Sequence, residues 1–498
     1  MVGWLLIIHG AYVYIFSWFT ATFLKTDIDL FDGSLRILTS LWPAAHFIPY
    51  KDFGFVYPPG YQLISYIFNV TTIQQRFIAL LVIYLVLSGL IIYFSYRITG
   101  SLLSTAIILE ILALEIGRFV WGDIIITALM FLVVLVVVFI LKKEIEKGSI
   151  YYFLAIVSAC TVLFRWDFPI FLGGLISLLA FRFAKCRLGR KILFAYLLGI
   201  ISGFFVLFST LFLWNAIKEG LEFIFIIPPL IAKSASDPPL LPEVRFNERI
   251  FPYFILFSLS IVLGIFLIKR YRYLVPVRKK ENCYLFTNLF VILFPLAFFP
   301  YFLARPDATH GYIFGIAGIV SLGLILGVFS MSLKGKLGII FLIVFSVSPY
   351  IRHLQARGSA LLKSNLFLPD RVEYKISDCK SKVRGKNYNS IWVGRLDYNL
   401  PAKVRAPILY LVDISKKPAT KYISDEAGLQ INCRYATKIV EDFNKAERPI
   451  LMFLEREIHG NFPKISCGII EKWLSDNSYQ DVGSCKIENG IYEIRIYN

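Results

Sequence analysis

Charge is scarce in this 498-residue chain: 17% of its residues are Asp, Glu, Lys or Arg, against 57% hydrophobic. A soluble chain of this length carries about one quarter charged residues, so a protein living wholly in water is excluded. The run from Met1 to Leu24 lacks the basic start of a secretory signal, and no small-x-small cleavage site precedes Thr26-Asp27. It reads as a retained membrane helix and not as a removed leader. An internal repeat of the kind that marks many transporters is also missing. The cysteines of the C-terminal stretch, Cys379, Cys433, Cys467 and Cys485, lack zinc-site spacing.

Apolar runs long enough to cross a hydrocarbon core are plentiful from Met1 to about Tyr350. About eleven spans are expected, at 3–24, 76–96, 101–116, 123–141, 150–164, 168–184, 191–214, 250–268, 284–303, 311–333 and 337–350. After Arg352 the composition becomes that of a soluble domain. The expected architecture is an α-helical polytopic membrane bundle over 1–350, followed by a soluble α/β domain over 351–498. In that tail, Ile391-Trp392-Val393, Pro407 to Leu411 and Pro449 to Leu454 read as strands. Gln430 to Asn444 and Glu471 to Ser475 read as helices.

The net charge of +18 is distributed as a topology signal. Seventeen Lys and Arg against three Glu fall around Arg97 and in 142–149, 182–191, 269–283 and 334–336. The alternate loops hold eleven basic and twelve acidic residues. Such asymmetry places the basic loops in the cytoplasm and gives no reason to invoke nucleic acid. An odd number of spans then puts the tail on the far side of the membrane. There its four cysteines suit disulfides, with three pairings open and buried free thiols as the alternative.

The outer loops carry the polar residues. The first holds Asp27, Asp29 and Asp32, then Pro49-Tyr50-Lys51-Asp52-Phe53-Gly54-Phe55-Val56-Tyr57-Pro58-Pro59-Gly60. Between them, Leu35, Ile37, Leu38, Leu41 and Trp42 suit a helix lying at the membrane surface. An aspartate beside a span commonly only caps a helix, and Asp32 before Gly33-Ser34 fits that role. Three carboxylates within six residues repel one another, however, and favour nearby cationic or polar partners. Later outer loops bring Arg118 and Asp123, Arg165-Trp166-Asp167, and Arg305-Pro306-Asp307-Ala308-Thr309-His310. Basic groups here run against the positive-inside trend; an anionic ligand such as a lipid phosphate accounts for them, as do ion pairs that finish helices. The loop from Asn215 to Arg249 is long and rich in proline, which suits a mobile cover or a disordered segment. Asn69-Val70-Thr71 forms a glycosylation sequon.

An acidic residue after the first span, then Pro49-Tyr50-x-Asp52-Phe53 and Tyr57-Pro58-Pro59-Gly60, resembles the multispan glycosyltransferases of the GT-C class, in particular protein mannosyltransferase-like and aminoarabinose transferase-like enzymes. Arg305-Pro306-Asp307-x-x-His310 is similar to an Arg-x-Asp-x-x-His element of some members. The spacing from Asp29 to Pro49-Tyr50 is a few residues longer than the pattern, so the catalytic choice among Asp27, Asp29 and Asp32 stays open. The resemblance implies transfer of a hexosyl or pentosyl group from a polyprenyl-phosphate donor to a glycan, lipid or protein acceptor. It further implies an integral protein of a prokaryotic cell membrane, with active site and tail extracytoplasmic. Asp29 is the first candidate for general base, with Asp27, Asp32 and Asp123 behind it. Arg305, His310, Lys51 and Arg165 are candidates for the leaving phosphate, with Asp167 and Tyr57 as further substrate contacts. Members differ in metal need, so a divalent metal is allowed, although no ligand set in the sequence demands one. The competing class is a transporter or flippase of a lipid-linked glycan.

Overall fold

A computed structural model describes residues 9, 32–113, 123–146, 148–228, 262, 281–298, 317–318, 320–326, 336–338, 340, 371–395, 407–423, 433–455, 468–487 and 492–497. The chain divides into two compact units. One comprises Met1–Trp18, Leu80–Leu207 and Leu241–Lys363, and the other Phe19–Ala79, Phe208–Leu240 and Ser364–Asn498.

The first unit is built from apolar helices. Its described members are most of α3 (Ile73–Thr99), α4 (Leu102–Ala113), α5 (Asp123–Lys142), α6 (Gly148–Phe164), α7 (Asp167–Arg182), most of α8 (Arg187–Leu213) and α10 (Glu281–Leu293), which tightens into a 3₁₀ turn over Phe294–Phe298. These lie close to the limits expected for seven of the spans. Those expected at 3–24, 250–268, 311–333 and 337–350 fall wholly or largely outside the described residues. Among the described residues, Ile78–Thr99, Ile125–Lys142 and Arg187–Leu213 are long and apolar enough to cross a membrane. A helix that is hydrophobic all round belongs in a core or in lipid. Helix α5 takes the core, with Phe131 stacked on Phe298 at 5.8 Å. Helix α8 instead leaves Phe194, Ile201 and Phe205 at least 65% exposed, an apolar stripe that water would not tolerate. At the basic end, the Cys186–Cys283 disulfide ties the start of α8 to α10.

The second unit gathers three separate stretches. Helix α1 (Asp32–Leu41) runs into a 3₁₀ turn, Trp42–Ala45, and α2 (Gly60–Ile67) follows Pro59. The expected helix after Asp32 forms, but Ile37, Leu38, Leu41 and Trp42 are buried within the protein and do not face lipid. Their apolar face meets protein because Trp42 packs on Phe53 and Tyr410, at 4.9 and 5.5 Å between ring centres. Arg76, buried in the first turn of α3, donates through Nε to Ser40 at 2.9 Å.

The C-terminal stretch forms a five-stranded sheet of order β2-β1-β3-β5-β4. The strands are β1 (Ser390–Arg395), β2 (Lys417–Pro418), β3 (Ile450–Glu455), β4 (Asp481–Ile487) and β5 (Tyr492–Tyr497). Strand β1 is parallel to both β2 and β3, while β5 runs antiparallel to β3 and β4. Ile450, Leu451, Met452 and Phe453 are all fully buried. Successive strand residues face opposite ways, so both faces of β3 are covered. Helices α11 (Arg371–Val383), α12 (Cys433–Lys445) and α13 (Ile469–Asp476) accompany the sheet. The Cys379–Cys485 disulfide joins α11 to β4. Trp392 meets Phe443 of α12 at 4.9 Å, and Phe443 meets Trp473 of α13 at 5.0 Å.

One expected strand is wrong. Pro407 to Leu411 lies in a 3₁₀ helix, Pro407–Asp413. A short apolar run does not distinguish helix from strand, and a leading proline favours the first helical position. Tyr410 instead sends its hydroxyl to accept the Val393 N–H at 3.2 Å.

Candidate functional site

The aromatic motif of the first loop folds on itself before it meets anything else. Tyr50 adopts φ 66°, which turns the chain back so that its N–H donates to the Phe53 carbonyl at 2.7 Å. Asp52 accepts the Ile48 N–H through Oδ2 at 2.8 Å. The Tyr50 hydroxyl donates to the Tyr57 carbonyl at 2.6 Å, and burial pushes that phenol well above its ordinary range. Tyr50 therefore serves as a buried neutral strut.

That turn docks, within the same unit, against the C-terminal stretch and the segment after α8. Asp52 pairs with Lys417 at 2.7 Å, and the Gly54 N–H donates to the Lys421 carbonyl at 2.6 Å. A Cβ on Gly54 would stand 2.0 Å from the Phe223 ring, so only glycine allows this approach. Phe223 lies in a π-helical turn, Glu222–Ile226, that follows the short α9, Ile217–Leu221. Glu219 reaches Lys421 at 3.6 Å, and Glu222 pairs closely with Lys438 of α12. The long loop after Asn215 thus begins as packed structure and not as a mobile cover; residues 229–249 lie outside the described ones.

Tyr422 sits at the centre of these groups. Its ring lies 5.5 Å from that of Phe223, tilted by 36°, and its phenol is pushed far up by burial, then by Glu222 and Asp442. Asp442 accepts from the Thr420 hydroxyl at 2.9 Å. Burial raises its carboxyl above the ordinary carboxylate value, partly offset by that hydrogen bond and by Lys421. The network is closed on itself: each of these carboxylates already has a lysine or hydroxyl partner. It holds the first loop to the tail and leaves no poised base of its own.

The expected site residues stand in different settings. Arg165 and Asp167 come together, with Nε at 3.0 and 3.2 Å from the two carboxylate oxygens and the guanidinium 5.0 Å over the Phe168 ring. Lys51 is exposed, and Tyr57 lies half-buried with its ring 5.2 Å from Phe55. Asp32 opens α1, Asp123 opens α5 and Asp167 opens α7, where the helix dipole favours negative charge. Asp27, Asp29, Arg305 and His310 lie outside the described residues. Among the described residues no three His, Cys, Asp or Glu side chains gather to hold a metal ion.

Sequence reasoning missed Asp52, Glu219, Glu222, Lys417, Lys421 and Lys438. Asp52 stands inside the quoted motif, and Glu219 and Glu222 are three residues apart, the spacing of one helical face. Their partners lie about two hundred residues or more along the chain, beyond any local pattern.

No family model matches the chain, and no curated protein matches it either. A solved structure does: the oligosaccharyltransferase of Archaeoglobus fulgidus, determined with a tethered acceptor peptide that contains an NVT sequon. The match covers 99% of this chain and 74% of that one, at 12% identity and a TM-score of 0.50. What is shared at that identity is the fold.

Proposed function

We propose that the chain moves a hexosyl or pentosyl group from a polyprenyl-phosphate donor to a glycan, lipid or protein acceptor at the extracytoplasmic face of a prokaryotic cell membrane. The single observation that carries this reading is the fold shared with a membrane oligosaccharyltransferase along nearly the whole chain. The positive-inside distribution of charge supports the orientation, with the tail, 351–498, as an extracytoplasmic α/β domain that shapes or selects the acceptor.

The acceptor hydroxyl attacks the anomeric carbon as the bond to the phosphate oxygen breaks. The bonding pair leaves with the polyprenyl phosphate, and the hydroxyl proton passes to a carboxylate. Asp29 is the first choice for that base, ahead of Asp27, Asp32 and Asp123. The leaving phosphate already bears negative charge, so it needs cations more than a proton donor. Arg305, His310 and Lys51 take that role ahead of Arg165, which Asp167 already holds. A carboxylate also offsets the positive charge that develops on the sugar ring.

The test is transfer by the purified protein from a panel of defined polyprenyl-phosphate sugars to glycan, lipid and peptide acceptors. Product bearing the sugar, with release of polyprenyl phosphate, is the expected result. Failure across the whole panel, with donor carried unchanged between leaflets of a vesicle, would instead establish a transporter.

A further inference from the structure

The first unit contains a cavity of about 510 Å³ between the N-terminal halves of α6 and α8, at the other end of α6 from Arg165 and Asp167. Its polar end is made by Arg187, Arg190 and Lys191 of α8 with Glu146, and its walls by Tyr151, Tyr152, Phe194 and Leu198. The volume falls in the range of small-molecule sites. Tyr152 and Phe194 are about 70% exposed, so the apolar wall opens outward and does not close as core.

The two helices are pinned together next to this cavity. A Cβ on Gly199 would stand 2.4 Å from the Ala155 carbonyl oxygen, and one on Gly203 2.8 Å from that of Ala159. Glycines four apart allow the backbones to touch. Ala155 also lines the cavity, so the contact abuts its apolar wall.

The charges at the mouth are incompletely balanced. Lys191 meets Glu146 at 3.8 Å and lies 5.9 Å over the Tyr151 ring. Arg187 and Arg190 have no carboxylate partner among the described residues. All three cations occupy the first turns of α8, where the helix dipole disfavours positive charge. The positive-inside trend accounts for basic residues at this membrane boundary, but it gives no reason for a cavity beneath them.

We propose that this cavity binds one anionic phospholipid from the leaflet that faces the basic loops. The phosphate headgroup sits between Arg187, Arg190 and Lys191, and an acyl or isoprenoid chain lies along Phe194, Leu198 and Ala155. Basic pockets between membrane helices on the cytoplasmic side bind such headgroups, and guanidinium groups match phosphate oxygens in pairs. None of these residues is assigned to the proposed transfer, and the test does not depend on that activity.

The experiment reads lipid retained by the full-length protein after reconstitution in zwitterionic nanodiscs doped with phosphatidylglycerol, followed by native mass spectrometry. One phosphatidylglycerol is expected to remain on the wild type, with at least tenfold less on Arg187→Gln/Arg190→Gln/Lys191→Gln. The charge-matched control Lys279→Gln/Lys334→Gln/Lys336→Gln should retain it. Equal loss from both variants, or no retention by the wild type, would overturn the proposal in favour of diffuse surface attraction. Displacement of the lipid by millimolar inorganic phosphate would overturn the lipid as occupant. Should the triple variant fail to fold, Leu198→Trp fills the apolar wall and keeps every charge: loss of lipid there supports the site, and unchanged retention rejects it.

Discussion

From Ile125 to Leu141 every residue of α5 is buried and none is charged. In the second unit Asp52, Glu219 and Glu222 are each partly buried against a lysine. Helix α5 excludes charge, and these loops of the second unit admit it in pairs. The difference follows from what surrounds each. Apolar helices satisfy their own backbone and need only packing, whereas loops that cross one another need polar groups to fix their register.

Substitutions on either side sharpen that contrast. The largest effect is expected for Val134→Asp, since Val134 is fully buried in α5. An unpaired carboxylate at such a depth costs on the order of 3 kcal/mol or more. The variant should melt well below wild type in detergent; an unchanged midpoint would show that water reaches α5. Lys438→Met should come next. It strands Glu222, whose side chain is 14% exposed, at a cost of about 2 kcal/mol once partial exposure is discounted. Adding Glu222→Gln should recover most of the loss, and absence of recovery would mean the pair is not the source of the effect.

Gly54→Val follows, at roughly 1–3 kcal/mol for forcing a side chain into the buried Phe223 ring. Protease digestion should then release the tail from the first loop at lower temperature than in wild type. The smallest effect is a matter of sign. Burial raises the Asp442 carboxyl, so the folded protein holds that proton more tightly than the unfolded chain. The stability this contributes is complete below the ordinary carboxylate value and is lost as pH rises through the raised one. At pH 7 Asp442→Asn should therefore raise the thermal midpoint slightly, and below the ordinary carboxylate value it should change nothing. A lowered midpoint at pH 7 would show that the Lys421 charge outweighs burial.

The two regions also differ in how far the sequence exposes them. The helices of the first unit follow from apolar runs, because a span is a local property of about twenty residues. Strands β1 and β3 and helices α12 and α13 were legible for the same reason, as short apolar or amphipathic stretches. The 3₁₀ helix at Pro407–Asp413 was not, since its choice rests on Tyr410 reaching Trp42 and Val393 from distant stretches. The Asp52–Lys417 pair spans more of the chain than any local pattern can see. The reading of glycosyl transfer came from the first-loop motif, yet that motif's described residues act mainly as a clasp on the tail.

The most direct test of the transfer reading is the initial rate from a competent polyprenyl-phosphate sugar for wild type and for Asp27→Asn, Asp29→Asn and Asp32→Asn, each checked for an unaltered melt. Loss of a general base removes roughly 10²–10⁴ in rate, and the account places that loss first at Asp29. Full rate in all three variants would contradict a first-loop aspartate as the base.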